Sequence, residues 1–288
     1  MQSLKETLRT AEEQGVAVGH FNTPVIEMVT AVIDAALSLN VPVVLGFTES
    51  ERDFFRAQQA VDYVKSVREE TGHPIFINAD HTYKYENAKR AVELGFDCVI
   101  YDAAEKSDDE NIQGTKEFVE FARKTNPDVL IEAEYGFIGG GSSIKDEFPE
   151  GAAITEDMMT DPEKARQFVE ATGCDLLAPA VGNLHGMFKH AANPHLNIDR
   201  IRAIRQAAGV PLVLHGGSGI SDDDFKQGIA AGIAMVHVST EMRIAYRSAL
   251  DKACAADRDQ IKPYNLMQPV KEAVQAVVEA KLRLFNNL

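Results

Sequence analysis

The sequence has few cysteines and no long apolar run. Its three cysteines, Cys98, Cys174 and Cys254, are far apart, with no Cys-x-x-Cys pair. Such a sparse, odd set predicts reduced thiols and a cytoplasmic location. No stretch approaches the roughly 20 apolar residues of a membrane-spanning helix, so no membrane partner is expected. The N-terminal segment MQSLKETLRTAEEQG predicts an amphipathic helix, not a signal peptide.

Positive charge is also scarce. The chain has 29 Lys and Arg against 44 Asp and Glu, for a net charge of −15. This balance argues against a nucleic-acid partner, because a phosphate backbone is bound by clustered basic side chains. A small anionic substrate would need a local site made of backbone amides and a metal ion.

Short apolar runs alternate with amphipathic helical segments eight times along the chain. The runs are rich in Val, Ile and Leu, as is typical of strands buried on both faces. The pattern predicts a single (β/α)8 barrel domain over residues 1–288, with an open doubly wound sheet as the alternative. The predicted strands are 15–22, 42–48, 74–81, 96–103, 128–136, 174–183, 210–217 and 234–240.

Two further segments stand out from this alternation. Pro269 is predicted to open a long additional C-terminal helix, VKEAVQAVVEAKLRLF, outside the barrel. Residues 137–160 form the one long irregular stretch, and three consecutive glycines lie near its start. A long glycine-rich loop in a compact domain is usually functional or mobile.

Polar side chains gather where the predicted strands end, which is where the active site of a parallel barrel lies. His81, His185 and His215 lie at or just after the third, sixth and seventh strands. Three imidazoles that leave a fourth position open are typical of catalytic zinc. The carboxylates of Asp102, Glu132 and Glu134 could orient these histidines, or they could form a layer of salt bridges at the rim.

The seventh strand is followed by Gly216-Gly217-Ser218-Gly219, and the eighth by Ser239 and Thr240. Glycines let a backbone approach a ligand, and consecutive amides bind anions. Loops after these two strands often bind phosphate in barrels. We therefore predict a phosphate site, with a plain glycine-rich turn as the alternative.

Asp80 precedes His81, so its carboxyl group could transfer a proton beside a metal-bound substrate. Its alternative role is a helix N-cap. No lysine lies at a strand end. This absence favours metal chemistry over a lysine Schiff base.

The motifs of these strand ends resemble those of class II fructose-bisphosphate and tagatose-bisphosphate aldolases, in order along nearly the whole chain. The resemblance implies a zinc-dependent, cytoplasmic homodimer or homotetramer. Such an enzyme reversibly cleaves a phosphorylated ketose into dihydroxyacetone phosphate and an aldehyde, with Na⁺ or K⁺ near the phosphate. The matching motifs are NADHTY (78–83), IEAEYGFIGG (131–140), APAVGNLHG (178–186), LVLHGGSGI (212–220) and VHVSTEMRIAY (236–246).

The resemblance also implies a role for each matching residue. His81, His185 and His215 would bind zinc. Asp80 would be the acid/base that serves the aldehyde oxygen, and Asp102 and Glu134 would be supporting or alternative metal ligands. The residues expected to bind phosphate or line the substrate site are Asn22, Thr48, Gly186, Gly216, Ser218, Ser239 and Thr240.

Two positions depart from the family pattern. Ser142 stands where the family has a loop glutamate that handles a proton on dihydroxyacetone phosphate, and Glu147 or Glu150 could replace it. His237 stands where the family has a substrate-binding Asn, and its neutral ring could accept a proton. These departures leave two alternatives to an aldolase. One is a metal-dependent sugar-phosphate isomerase or epimerase, and the other is a weakened sugar-phosphate-binding protein.

Overall fold

The computed structural model describes residues 2–136, 138–139, 143–145, 155–188 and 193–288. Within these ranges eight parallel strands close into a barrel. The barrel strands are β1 (Val18–Asn22), β2 (Val43–Phe47), β3 (Ile75–Thr82), β4 (Cys98–Tyr101), β5 (Leu130–Tyr135), β7 (Leu176–Pro179), β9 (Leu212–Leu214) and β10 (Ile233–Val238). Around the barrel they neighbour one another in the order β1-β10-β9-β7-β5-β4-β3-β2. Each strand is buried on both faces, inside against the barrel interior and outside against helices.

The predicted (β/α)8 barrel is therefore confirmed, and the open sheet is excluded. Every predicted strand overlaps one observed strand, and most predictions are too long at one or both ends. The first run illustrates the reason, because Gly15 has φ 67° and ends the preceding helix. The predicted strand 15–22 therefore includes both the residue that ends the preceding helix and the observed strand.

The first helix, α1 (Leu4–Gln14), closes the amino-terminal end of the barrel. Leu4, Leu8 and Ala11 form its buried stripe and pack against interior residues from the starts of the strands, among them Val44 and Phe76. Ser3 begins the helix with a capping box to Glu6. This end of the barrel is thus a packed apolar layer, which leaves the opposite end for polar chemistry.

The remaining helices pack around the barrel and at its side. They are α2 (Ile26–Leu39), α3 (Glu49–Phe55), α4 (Ala57–Thr71), α5 (Tyr85–Leu94), α6 (Asp108–Thr125), α7 (Pro162–Thr172), α8 (Ile198–Ala208), α9 (Asp222–Ala231), α10 (Thr240–Ala256) and α11 (Pro263–Phe285). In the parts of the chain that the structure describes, no helix is both long and apolar enough to cross a membrane.

The additional C-terminal helix is present, but its predicted start is wrong. α11 begins at Pro263, and Pro269 lies inside it. A proline inside a helix removes one backbone hydrogen bond. The helix nevertheless continues through this position, and its buried residues all follow Pro269. The buried stripe is Val270, Val274, Val278, Leu282 and Phe285.

The stretch 137–160 contains regular structure that was not predicted. Within it, β6 (Ile144–Lys145) pairs in parallel with β8 (Met187–Phe188), which follows the sixth barrel strand. This two-stranded sheet brings the loop after β5 next to the loop that carries His185. A strand of two residues has no readable alternation, so the sequence could not have indicated it.

Candidate active site

A bulge in β3 turns two consecutive side chains toward the same site. Neighbouring residues of a strand normally face opposite sides. The pairing of β3 with β4 shifts register between Ala79 and Thr82, and His81 has φ 29°. A positive φ is costly for a residue with a side chain and is often found at functional sites. The bulge allows both Asp80 and His81 to face the carboxyl end of the barrel.

The three predicted metal ligands lie together there. Ring centroids are 4.9 Å apart for His81 and His185, 4.8 Å for His81 and His215, and 5.7 Å for His185 and His215. One ligand atom from each ring and one carboxylate oxygen of Glu134 lie within 4.8 Å of one another. Three imidazole nitrogens this close, with a carboxylate oxygen beside them, fit a divalent cation such as zinc.

Hydrogen bonds leave one nitrogen of His81 and one of His185 for a cation. Nδ1 of His185 lies 2.7 Å from the carbonyl oxygen of Gly139. Because a carbonyl only accepts, this nitrogen carries the proton, and Nε2 keeps its lone pair. Nδ1 of His81 donates in the same way to the Asp102 carboxylate at 2.7 Å. Such outer partners hold a metal-binding imidazole in position.

His215 lies between the two carboxylates of β5. Its Nε2 is 2.7 Å from Oε1 of Glu132, and its Nδ1 is 3.1 Å from Oε2 of Glu134. A neutral ring can donate to only one of them. If Nε2 donates to Glu132, the Nδ1 lone pair and the Glu134 oxygen face each other and fit a shared cation.

The charges also favour a cation at this position. Burial lowers the pKa of His81, but Asp80 and the hydrogen bond to Asp102 raise it to about 9. Burial likewise opposes protonation of His215, and its hydrogen bonds to Glu132 and Glu134 raise its pKa well above the usual value. The carboxylates therefore attract positive charge, which a divalent cation would supply in place of protons.

Asp80 is buried at the base of the site. Asn22 Nδ2 donates to its Oδ2 at 2.8 Å, and His237 Nδ1 lies 3.5 Å from its Oδ1. Burial raises the pKa of Asp80, but the charge of His81 and the nearby imidazole of His237 outweigh it and hold the pKa well below the usual value. The carboxylate is thus ionised at neutral pH.

The helix-cap alternative for Asp80 is wrong. α5 begins at Tyr85 with Lys84 in the N-cap position, and Asp80 belongs to β3.

The predicted phosphate residues form one wall of a narrow cavity. Gly216 must lack a side chain there, because it has φ 66° and a Cβ would lie 2.3 Å from the carbonyl oxygen of Leu184. Ser218 Oγ accepts from the backbone amides of Ser239 and Glu241, which ties this loop to the start of α10. The cavity is lined by Asn22, Thr48, Asp80, His81, His185, Gly186, Gly216, Gly217, Ser218, His237, Ser239, Thr240 and Arg243.

Two hydroxyl groups of this wall have no partner among the described residues. They are Ser239 Oγ and Thr240 Oγ1, both buried, at the N-terminus of α10. The positive end of a helix dipole favours an anion. Free hydroxyls beside it add donors, so the cavity has the chemistry of a phosphate site.

His237 lies in the same layer of the barrel as His215. Its ring stacks on His215 at 4.4 Å, and its Nε2 is 3.8 Å from Glu132 Oε2. Burial is the largest cause of a pKa well below the usual value, and the charges of His20 and His215 lower it further. The ring is therefore neutral at pH 7.

Sequence reasoning missed Arg243 and Glu51. Arg243 lies on the first turn of α10, and its Nη2 donates to Glu51 Oε1 at 2.7 Å. Glu51 also accepts from Asn22 and from the amide of Thr48. The sequence did offer one signal for Arg243: it lies three residues after Thr240, near the same end of α10.

A wider cavity opens beside the narrow one, and Arg243 lines both. Of the described residues that line either cavity, Arg243 is the only Lys or Arg. The acidic residues at the wider cavity are Glu49, Asp53, Asp102, Glu105 and Glu134. Ser142, Glu147 and Glu150 lie outside the described residues.

The chain is similar to known proteins over nearly its whole length. The family model described as "Fructose-bisphosphate aldolase class-II" matches residues 2–288. A relative in Bacillus subtilis (strain 168), named "Probable fructose-bisphosphate aldolase", is 35% identical over 289 residues, covering 99% of this chain and 97% of the relative. The crystal structure of the YdjI aldolase from Escherichia coli K12 superposes with a TM-score of 0.82 at 32% identity, covering 98% of this chain and 96% of that one.

Proposed function

Because this chain belongs to the class II fructose-bisphosphate aldolase family and is a carbon–carbon lyase, we propose that it is a zinc enzyme. It reversibly cleaves a ketose phosphate, such as fructose 1,6-bisphosphate, into dihydroxyacetone phosphate and an aldehyde. The observation that carries the proposal is the donor set of His81, His185, His215 and Glu134 beside an anion-binding cavity. Membership of this family favours the aldolase over the two alternatives, a sugar-phosphate isomerase or epimerase and a non-catalytic sugar-phosphate-binding protein.

The proposed chemistry assigns separate tasks to the phosphate-binding residues and to Asp80. Ser218, Ser239 and Thr240, which lie around the N-terminal end of α10, bind the phosphate of the dihydroxyacetone half through their hydroxyl groups. Asp80, ionised and buried, takes the proton from the hydroxyl group at the cleavage site and returns it in condensation. A divalent cation, when bound, supplies Lewis-acid stabilisation of the negative charge that develops as the bond breaks.

The remaining proton is the one exchanged at the carbon of dihydroxyacetone phosphate. We propose that Glu147 is its base, while His237 orients Asp80 through Nδ1, 3.5 Å from Oδ1. In the sequence, Glu147 supplies a carboxylate in the segment that follows β5. Gly139 near the start of that segment would give a hinge.

Proton exchange separates these two roles. Glu147→Gln is expected to lose exchange of tritium from labelled dihydroxyacetone phosphate, because an amide accepts no proton at neutral pH. His237→Asn and Glu150→Gln should retain it. Loss of exchange in His237→Asn alone would make the histidine the base, and loss in Glu150→Gln alone would move the role along the loop.

Arg243 is expected to bind a negative group on the aldehyde half of the substrate. Arg243→Gln should raise KM for fructose 1,6-bisphosphate about 10-fold, since a charge-assisted hydrogen bond is lost. KM for fructose 1-phosphate, which lacks the second phosphate, should rise less. Arg247→Gln is the matched control, because Arg247 lies one turn further along α10 and is 76% exposed. Equal increases for both substrates would assign Arg243 to the first phosphate instead.

The assembly, location and second ion remain proposals. We propose a cytoplasmic homodimer or homotetramer of a single barrel domain, with Na⁺ or K⁺ near the phosphate site. These follow from the family resemblance. Sedimentation of the purified protein would test the assembly, its activity with Na⁺, K⁺ or neither would test the second ion, and fractionation of cells would test the location.

A further inference from the structure

Three imidazole rings form a column inside the barrel. His20 of β1 stacks on His237 of β10 with ring centroids 3.4 Å apart and planes 5° from parallel. On the other side of His237, His215 lies at 4.4 Å with an interplanar angle of 24°. His20 and His237 are also register partners in the barrel sheet. The ring of His237 is thus held from both faces.

Neighbouring strands are shaped to hold the first ring of this column. A Cβ at Gly46 on β2 would lie 2.1 Å from Cε1 of His20, so the imidazole occupies the space that a side chain would take. On β3, Asn78 Nδ2 lies 3.2 Å from His20 Nε2. His20 is fully buried and does not line the narrow cavity, whereas His237 does. Any effect of His20 on substrate must therefore pass through another residue.

A second metal site is a poor explanation of this cluster. Ligand atoms of His20, Asp80 and His237 do lie within 4.8 Å of one another. However, the lone pair of an imidazole nitrogen lies in the plane of its ring. Because the planes of His20 and His237 are nearly parallel and face each other, one ion cannot lie in both planes. The two rings instead lie face to face in contact, so each limits the rotation of the other.

We infer that His20 is a positioning residue for aldol cleavage: it fixes the ring plane of His237, and so the approach of Nδ1 to the Asp80 carboxylate. The inference rests on the role proposed above for His237. Without the ring of His20, the space beside Gly46 would be open and His237 could turn away from Asp80. A catalytic group displaced by about 1 Å can lose on the order of 10²-fold in rate.

A double-mutant cycle tests this inference. His20→Asn, which removes the ring, should lower kcat for fructose 1,6-bisphosphate cleavage about 10-fold, with little change in KM or zinc content. In a His237→Ala background the same change should alter kcat less than about 2-fold, because the residue through which His20 acts is gone. His20→Phe keeps a flat ring on His237 and should recover kcat to within about 3-fold of the unmodified enzyme.

The other outcomes are equally informative. An equal loss from His20→Asn in both backgrounds would show a structural role and overturn the inference, as would no loss in either. If His20→Asn does not fold, Gly46→Ala, which presses on the ring without removing it, serves in the same cycle with the same expectations. Failure of the unmodified enzyme to cleave any ketose phosphate would contradict the proposed function. A His237→Ala variant with full activity would contradict the role of His237 and overturn the inference about His20, but would leave the proposed function intact.

Discussion

Exhaustive chelation is expected to abolish cleavage, and one equivalent of zinc per chain to restore it. The donors His81, His185, His215 and Glu134 converge, and the surrounding carboxylates favour positive charge. Losing the stabilisation of developing negative charge should cost several kcal/mol, or about 10³-fold in rate. Metal analysis and assay of the same samples provide the measurement.

A pair of histidine variants makes this test specific to the site. His185→Ala should lose both zinc and activity, because Nε2 of His185 is one of the proposed ligand atoms. His195→Ala should keep both, since the His195 side chain is 87% exposed and contacts Asp224 instead. Full activity in the chelated enzyme, or normal zinc in His185→Ala, would contradict the proposed centre.

Asp80→Ala is expected to lower turnover by about 10²-fold or more while zinc content stays normal, as for the loss of a general acid/base. The carboxylate is ionised and buried. It also lies 3.9 Å from Nε2 of its neighbour His81. Steady-state kcat and metal analysis together provide the test.

Asp80→Asn is the matched control for shape. It keeps the size of the side chain but cannot accept a proton, so it should be nearly as inactive as Asp80→Ala. Loss of zinc in either variant would show that Asp80 holds the metal site together, and turnover near normal in Asp80→Asn would leave it only a packing role.

The barrel could be predicted because its strands are buried on both faces. Runs such as PVVLGFT and PIFINADH lack alternation for that reason, and eight of them with helices between allow few other folds. The small sheet of β6 and β8 and the start of α11 could not be predicted. Two-residue strands carry no period. A proline usually marks the first turn of a helix, whereas α11 begins six residues before Pro269.

Convergence of the site was predictable, but its inner geometry was not. Strand ends of a parallel barrel meet at one end, so His81, His185 and His215 were expected near one another, and the structure places them there. The bulge at His81 depends on how β3 pairs with β4, and no local sequence pattern indicates it. The stack of His20 on His237 likewise depends on register between the first and last strands. The catalytic and binding roles of these residues stay predictions until tested.

Release of dihydroxyacetone phosphate tests the central claim most directly. The purified enzyme would be incubated with fructose 1,6-bisphosphate, tagatose 1,6-bisphosphate and fructose 1-phosphate, with and without added zinc. Product would be followed through NADH oxidation by a coupled glycerol-phosphate dehydrogenase. We expect zinc-dependent release from at least one of these ketoses and none from His185→Ala. Isomerisation of a ketose phosphate without release of the triose, or release that is the same after metal removal, would contradict the account.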